Sequence, residues 1–337
     1  MIENPFLGVG LNDVSLAEIP MPSVDATAPR KLLERCPAAG PTPLVALGSF
    51  AGAGSVFVKD ERDRMGLGSF KALGAAYVIA CEAAAGRAAG QTFVCASAGN
   101  HGLSVAAGAQ AFKAKAVIYL SRTVPEAFAE RLRARGAEVR RVDGSYEESM
   151  EAAAKAAVVE GFKLLSDSSW PGYTEYPFRL MEGYLAMAAE AAEAMAEPPT
   201  HIFLQAGVGG LAAACAAYFR KVWGDGPKII VVEPEAAPAL KDCIAAGKFV
   251  TAVGPESCMG RLDCKEASLI ALNGLARDAN AFMTITEEES VAALPLLADV
   301  GLQTTPSGGA GLAGLMGLAP LGPEARVLCI VSEGPEG

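Results

Sequence analysis

Short apolar runs alternate with amphipathic or alanine-rich segments along most of the chain. An apolar run bounded by polar residues, glycine or proline is typical of a buried strand, whereas a longer segment is typical of a helix. Strands are therefore predicted at 55–60, 91–97, 114–121, 137–143, 161–167, 201–207, 228–234 and 326–334. Helices are predicted between them, with the clearest at 177–196 and 210–223. This alternation predicts an α/β fold with a parallel sheet and helices on both faces.

Composition narrows the class of protein. The 337 residues suit two domains, and with 51% hydrophobic residues the chain can bury a large core. A net charge of -10 argues against a nucleic-acid or anionic-membrane partner. The apolar stretches are interrupted by charged residues, and the N-terminus lacks a basic region followed by an apolar run. We therefore expect no membrane span and no signal peptide, and predict a cytoplasmic location.

Histidine and cysteine usage argues against a metal centre. The two histidines are too few for a histidine-rich site, so no metal is expected. Eight cysteines include no CxxC pair and are expected to be reduced core residues. Cys258 and Cys264 are the only close pair, and a redox role there stays open.

Three glycine-rich segments each precede a predicted helix. "LQAGVGGLAAAC" (204–215) fits a phosphate seat, a dinucleotide fingerprint with Glu233 as the ribose acid, or a plain tight turn. "SAGNHG" (97–102) fits either a carboxylate cradle or a helix-capping turn. "TTPSGGAGLAGL" (304–315) is the third. Three sites favourable to anions are suggestive, but they name no reaction.

Lys71 is a lone cation among apolar residues in "GLGSFKALGAAY". The ordinary interpretation is a solvated lysine that extends outward. The alternative is a functional amine, because apolar neighbours and the positive end of a helix both lower the pKa of an ammonium group. An amine of lowered pKa, a phosphate seat and a carboxylate cradle together indicate pyridoxal phosphate.

The motifs "KDERDRMGLGSFKALGAAY", "SAGNHG", "GVGG" and "VSEG" occur in this order. The chain thereby resembles the fold type II pyridoxal-phosphate enzymes, which include threonine dehydratase and the tryptophan synthase β-subunit. It is most similar to the diaminopropionate ammonia-lyase family, through "RMGLGSFKALG", "GSYEESM" and "SDSSWPGYTEYP". The resemblance implies two three-layer αβα domains with mainly parallel twisted sheets, as in the tryptophan synthase β-subunit. The large cofactor domain would comprise 1–72 and 181–337, and a small mobile domain 73–180.

The resemblance also implies roles for individual residues. Lys71 would hold pyridoxal 5′-phosphate covalently and act as the base, and Asn100 would contact the ring oxygen O3′. The phosphate would bind the backbone of Gly207, Val208, Gly209 and Gly210. Ser332 would bond the ring nitrogen, and Ser97, Ala98, Gly99 and His101 would contact the substrate. Asp167 would assist the leaving group, although an alternative is that it merely caps a helix.

Two departures from the family pattern bear on the substrate. Ala98 stands where the ammonia-lyases carry an Asp associated with D-substrates, so we expect a preference for L-substrates. The segment at 258–272 carries Arg261 and Lys265 where the family segment is glycine-rich. If either side chain faces the site, the substrate would be anionic at its β-side, although most such charges are solvated.

The predicted function is α,β-elimination from a small L-amino acid with a β-amino or β-hydroxyl leaving group, of the 2,3-diaminopropionate, serine/threonine or 3-hydroxyaspartate type. The products would be a 2-oxo acid and ammonia. A β-replacement synthase and a non-catalytic ligand-binding paralogue are the alternatives. The resemblance further implies a homodimer.

Overall fold

Two β-sheets organise the chain in the computed structural model, which describes residues 1–335. The strands are β1 (Ile2–Glu3), β2 (Leu44–Phe50), β3 (Ala53–Asp60), β4 (Thr92–Ala96), β5 (Lys115–Ser121), β6 (Glu138–Val142), β7 (Lys163–Leu164), β8 (His201–Gln205), β9 (Lys228–Pro234), β10 (Ala281–Ile285) and β11 (Gly322–Val331). The larger sheet has the order β1-β10-β9-β8-β11-β3-β2, and the smaller one the order β6-β5-β4-β7. In the larger sheet only the edge pairs β1–β10 and β2–β3 are antiparallel. All pairs of the smaller sheet are parallel.

The helices lie between and beyond these strands. They are α1 (Thr27–Leu33), α2 (Gly74–Ala84), α3 (Asn100–Ala111), α4 (Glu126–Ala134), α5 (Tyr146–Val159), α6 (Glu175–Ala194), α7 (Gly210–Trp223), α8 (Ala239–Ala246), α9 (Leu269–Asp278), α10 (Glu287–Asp299) and α11 (Pro306–Met316). Short 3₁₀ helices occupy Val14–Leu16, Arg64–Gly66 and Phe70–Leu73.

The larger sheet is buried on both faces. Along β8, Ile202 and Leu204 belong to one hydrophobic cluster, whereas Phe203 between them belongs to another. Because successive side chains of a strand point to opposite faces, the two clusters mark the two sides of the sheet. Residues of α6, α7 and α9 cover the first side, and residues of α10 and α11 cover the second. The predicted αβα layering with mainly parallel strands is confirmed.

The predicted elements differ from the observed ones mainly at their ends. The strand predicted at 161–167 is limited to Lys163–Leu164, and strands β1, β2 and β10 were not predicted. Strands β4 to β7 fall within the predicted small domain at 73–180, but the domain boundaries and mobility stay predictions. The last two residues of the predicted large domain, 336 and 337, lie outside the described residues. Within residues 1–335, no helix is long and apolar enough to cross a membrane.

Candidate active site

Lys71 lies in the loop that follows the carboxyl end of β3. This loop contains two 3₁₀ helices, and Lys71 belongs to the second of them, Phe70–Leu73, which leads directly into α2. Its side chain is 20% exposed, and its Nζ donates a hydrogen bond to Oδ2 of Asp167 at 2.5 Å. The interpretation of Lys71 as a solvated, outward-facing lysine is therefore wrong.

Charged residues of the motif at 59–77, which contains Lys71, form a buried ion cluster that anchors this loop. Lys59 and Arg64 both pair with Glu190 of α6, at 2.6 and 2.7 Å. Arg64 also pairs with Glu61 at 2.7 Å. Lys59, Glu61 and Arg64 are almost fully buried, so each charge depends on its partners. The cluster ties the start of the Lys71 loop to α6.

The ion pair sets the protonation of Lys71 and Asp167. Burial lowers the pKa of Lys71, but the Asp167 carboxylate outweighs it and holds that pKa above its usual range. The expected lowering of the pKa is therefore wrong for the cofactor-free chain. Burial raises the pKa of Asp167, but the charge of Lys71 outweighs it and holds that pKa below its usual range. Asp167 is thus an anionic acceptor for the Lys71 ammonium group. The helix-cap alternative for Asp167 is wrong, because α6 begins after Thr174.

The glycine turn connects β8 to α7 at the same end of the larger sheet. Gly209 has φ +95° and precedes the first helical residue, Gly210, and no side chain caps this helix. The first N–H groups of α7 thus lack both an intrahelical acceptor and a capping side chain. A Cβ on Gly207 would lie 3.0 Å from Cα of Leu262 and 3.1 Å from Sγ of Cys264, so the close approach of this loop requires glycine. The turn has the form of an anion seat.

The dinucleotide interpretation of this turn fails at Glu233. Its carboxylate is fully buried and accepts hydrogen bonds from the backbone N–H groups of Leu240 and Lys241 at 2.7 and 2.8 Å. Glu233 therefore binds the start of α8 and is not available to a ribose.

"SAGNHG" connects β4 to α3 and faces the C-terminal strand. Ser97 Oγ accepts hydrogen bonds from the N–H groups of Gly99 at 3.3 Å and Gly102 at 3.1 Å. The Asn100 side-chain amide donates to the carboxylate of Glu333. His101 is buried, and its Nε2 faces the carbonyl of Leu165 at 2.8 Å, which assigns the ring proton to Nε2. Ala98 is exposed.

Ser332 follows β11 and completes the site from the opposite end of the chain. The residue is buried, with 5% of its surface exposed. Its backbone carbonyl accepts a hydrogen bond from the N–H of Phe70, next to Lys71, at 3.0 Å. Ser332 is thereby held beside the lysine.

Residues 36–333 match the family model for pyridoxal-phosphate dependent enzymes. The chain belongs to the pyridoxal-phosphate-dependent enzyme family. The predicted family and the predicted cofactor, pyridoxal 5′-phosphate, are confirmed.

Individual relatives refine the placement of this enzyme. It is 38% identical over 214 residues to diaminopropionate ammonia-lyase of Salmonella typhimurium (strain LT2), which covers 56% of this chain and 53% of the relative. It is 34% identical over 278 residues to that of Escherichia coli (strain K12), covering 75% and 69% of the two chains. L-serine dehydratase/L-threonine deaminase of Homo sapiens is 30% identical over 275 residues, covering 80% and 79%. The chain thus spans about half the length of the Salmonella protein.

The crystal structure of the Escherichia coli ammonia-lyase with an aminoacrylate-PLP azomethine reaction intermediate has the same fold. It superposes with a TM-score of 0.87 at 28% identity, covering 99% of this chain and 93% of that one. The predicted fold type II class is confirmed, as is the prediction of a pyridoxal-phosphate-dependent enzyme.

The donor set of this enzyme fits its cofactor. The uncapped start of α7 suits a phosphate, and Lys71 supplies the amine for a covalent bond to the aldehyde. Ser332, a buried residue directly after β11, carries a hydroxyl that suits a ring nitrogen. These groups follow β8, β3 and β11, which are neighbouring parallel strands, so all three lie at the carboxyl edge of the larger sheet.

Two residues of the enzyme's site were not predicted from the sequence. Glu333 is 5% exposed and binds Asn100 and Thr305. Tyr184 of α6 is buried, its ring lies 4.8 Å from that of Phe70, and its hydroxyl has no partner within the described chain. Burial raises the pKa of Tyr184 to about 12, so it stays a neutral phenol. The sequence did offer one signal for Tyr184, namely a phenol hydroxyl in an alanine-rich predicted helix.

The structure distinguishes the two cationic residues of the 258–272 segment, of which either could have faced the site. Arg261 lies at the site, where its Nε is 3.4 Å from Glu333 Oε2. Lys265 instead binds the carbonyls of Ala236 and Pro255 and the carboxylate of Asp263.

Cys258 and Cys264 are both free thiols. Burial raises the pKa of both, that of Cys264 to about 12, so neither is a thiolate at neutral pH. This argues against a redox role for the pair.

Proposed function

We propose that this enzyme performs α,β-elimination on a small L-amino acid with a β-hydroxyl or β-amino leaving group. The observation that carries the proposal is the Lys71–Asp167 pair, a lysine amine held by a carboxylate 2.5 Å away between the glycine turn and "SAGNHG". The ammonia-lyase and dehydratase relatives support the reaction class.

The residues divide the work by position. Bound pyridoxal phosphate would draw electrons from the Cα of an attached amino acid and so acidify its proton. The backbone of the glycine turn from Gly207 to Gly210 would hold the phosphate, and Ser332 would donate to the ring nitrogen. Asn100 would contact the ring oxygen O3′. The substrate would contact the start of α3 and the loop before it, at Ser97, Ala98, Gly99 and His101.

Once the substrate amine has replaced it at the cofactor, Lys71 would be a neutral amine able to take the Cα proton, and Asp167 would stabilise the resulting ammonium group. An anionic Asp167 cannot itself protonate the leaving group, so Lys71 is the better donor of that proton as well. Water then hydrolyses the unsaturated amine product. Serine would give pyruvate and ammonia, and 2,3-diaminopropionate with one water would give pyruvate and two ammonia molecules.

The experiment is a panel of L- and D-β-substituted amino acids incubated with purified enzyme, followed by assays of ammonia and 2-oxo acid. The expected result is stoichiometric formation of both from at least one L-substrate, and none with Lys71→Ala. Lys115→Ala, an exposed lysine of β5, is the matched control and should stay active. If product forms only when a thiol nucleophile is added, the reaction is β-replacement and not elimination.

Two further parts of the proposal are a homodimeric state, which the family resemblance implies, and a cytoplasmic location, which the sequence pattern predicts. Sedimentation equilibrium of the purified protein tests the first, and fractionation of the source cells tests the second. A monomer at micromolar concentration would contradict the dimer.

A further inference from the structure

Arg261 extends from the larger sheet's side of the site to the loop that begins α3. Its backbone N–H donates to Ser307 Oγ at the start of α11, at 3.1 Å. Its side chain packs on Gly99, where a Cβ would lie 3.2 Å from Arg261 Cδ and 3.3 Å from Nε. The side chain is 32% exposed, and its Nε lies 3.4 Å from Oε2 of Glu333. Arg261 therefore connects the start of α11 to the loop that is proposed to hold the substrate carboxylate.

Clefts open on both sides of this side chain. One, of about 320 Å³, is lined by Arg261, Glu333 and Asn100 together with Arg62 and Arg131. The other, of about 310 Å³, is lined by Arg261 and Glu333 with the residues that begin α11. Asn100 joins the first cleft to the site. Neither lining includes Lys71.

Guanidinium groups outnumber carboxylates in the described lining of the first cleft. The lining includes three guanidinium groups and two carboxylates, those of Asp63 and Glu333. Arg62 is already bound at both Nε and Nη2 by Asp60, at 2.8 and 2.7 Å. Arg131 of α4 is exposed and forms no ion pair with any residue from 1 to 335. An anionic ligand therefore meets Arg131 on one wall and Arg261 on the other.

Ala98 and Arg261 are both neighbours of Gly99. Ala98 precedes it in the chain and carries no charge, and the Arg261 side chain packs on it. A guanidinium group with no carboxylate at position 98 beside it favours an anionic ligand.

We propose that Arg261 recognises a second carboxylate on the substrate, so that the preferred substrates are L-amino dicarboxylic acids with a β-leaving group, of the 3-hydroxyaspartate class. The inference rests on the proposed elimination function and names its substrate class. The α-carboxylate lies at the start of α3, and the distal carboxylate reaches the guanidinium of Arg261, which it shares with Glu333. Elimination breaks the Cα–H and β-C–O bonds and releases water. Hydrolysis then consumes one water, so that 3-hydroxyaspartate yields oxaloacetate and ammonia.

The test compares kcat/KM for the L-threo and L-erythro forms of 3-hydroxyaspartate with kcat/KM for L-serine. The wild-type enzyme should prefer one form of 3-hydroxyaspartate by about tenfold or more, and Arg261→Gln should lower that ratio by about tenfold or more. Arg261→Lys keeps the charge without the planar fork and should give an intermediate ratio. Lys265→Gln, in the same segment but bound to backbone carbonyls, is the matched control and should leave the ratio unchanged.

A second readout does not depend on turnover of a dicarboxylate. Succinate should inhibit L-serine elimination more strongly than butyrate in the wild type, and Arg261→Gln should remove the difference. Equal loss of kcat/KM for serine and 3-hydroxyaspartate in Arg261→Gln would overturn the inference, because Arg261 would then serve all substrates alike. Wild-type preference for serine or 2,3-diaminopropionate would overturn it while leaving the elimination function in place. Absence of elimination from every amino acid in the panel would instead refute the proposed function.

Discussion

Nζ of Lys71 and Oδ2 of Asp167 lie 2.5 Å apart although 96 positions separate them in the chain. Lys71 follows β3 of the larger sheet, and Asp167 follows β7 of the smaller one. Both side chains keep part of their surface exposed, 20% and 26%, so a ligand between the sheets can reach them. The larger sheet thus supplies the proposed base, Lys71, and the smaller sheet supplies its counter-ion, Asp167.

Asp167→Asn should lower the pKa of Lys71. In the wild-type chain the carboxylate outweighs the effect of burial, so its removal leaves burial as the dominant cause, and burial favours the neutral amine. The pH profile for reaction of the cofactor-free protein with pyridoxal 5′-phosphate should therefore shift to lower pH by about one unit or more. Turnover of the loaded enzyme should fall about 10²-fold. Absorbance at several pH values gives the first quantity, and ammonia release gives the second.

Asp143→Asn is the control for this variant, because Asp143 pairs with Arg122 in an exposed position far along the chain from Lys71. Its pH profile and turnover should match the wild type. An unshifted profile in Asp167→Asn would mean that the ion pair does not govern the protonation of Lys71.

The glycine turn should tolerate a methyl group at one position and not at its neighbour. Gly209 has φ +95°, and a Cβ there would lie 2.9 Å from Ala271 Cβ and 3.0 Å from Leu240 Cδ1. Gly209→Ala should therefore cost about 2 kcal/mol or more in the free energy of unfolding. A Cβ on Gly210 meets nothing closer than 3.6 Å, and alanine favours a helix, so Gly210→Ala should be neutral or stabilising by up to about 1 kcal/mol. Urea unfolding of both variants measures this, and equal stabilities would refute the strain argument.

Glu233 should make the protein less stable as pH rises. Burial raises its pKa to about 8, although the N–H groups of Leu240 and Lys241 act against this. Between the ordinary glutamate pKa and about 8, the unfolded chain releases this proton and the folded chain keeps it. The unfolded state then binds fewer protons, so the free energy of unfolding falls with rising pH, by up to about 1.4 kcal/mol per unit.

Glu233→Gln removes this titration and can still accept the backbone hydrogen bonds. Its stability relative to the wild type should therefore rise by about 1 kcal/mol or more between pH 5 and pH 8 in urea unfolding. Glu235→Gln changes an exposed neighbour and should show no such trend. A constant difference across this range would mean that the two backbone N–H donors keep Glu233 ionised.

Local pattern predicted much of the fold, and long-range pairing decided the rest. Helix α7 was predicted with its observed bounds, because a buried strand, a glycine turn and an apolar helix succeed each other within one stretch of sequence. The strand predicted at 161–167 was mostly loop, because only Lys163 and Leu164 pair with β4. The lowered pKa expected for Lys71 failed for a related reason: its partner Asp167 is distant in sequence, and spacing alone cannot bring the two together.

The same limit applies to the substrate-facing residues. Sequence identified Arg261 and Lys265 as alternatives, and only the tertiary structure separates the guanidinium beside Gly99 from the ammonium bound to backbone carbonyls. Glu333 was missed although it adjoins Ser332, because its bonds to Asn100 and Thr305 join distant segments.

The last prediction concerns stereochemistry at Ala98. A base removes a Cα proton only from the face that it can reach, and a methyl group at position 98 cannot accept a proton. L-substrates should therefore be eliminated through Lys71, and their D-enantiomers should give no turnover.

Ala98→Asp should add D-activity, because it supplies a carboxylate on the other face. This activity should be weak, because Arg261 packs on the adjacent Gly99 and would lower the pKa of the new carboxyl, which weakens it as a base. Ala98→Asp combined with Arg261→Gly should therefore show more D-activity than Ala98→Asp alone. Ammonia release from both enantiomers of 2,3-diaminopropionate measures each variant. Equal wild-type rates on the two enantiomers would show that a second base already serves the opposite face.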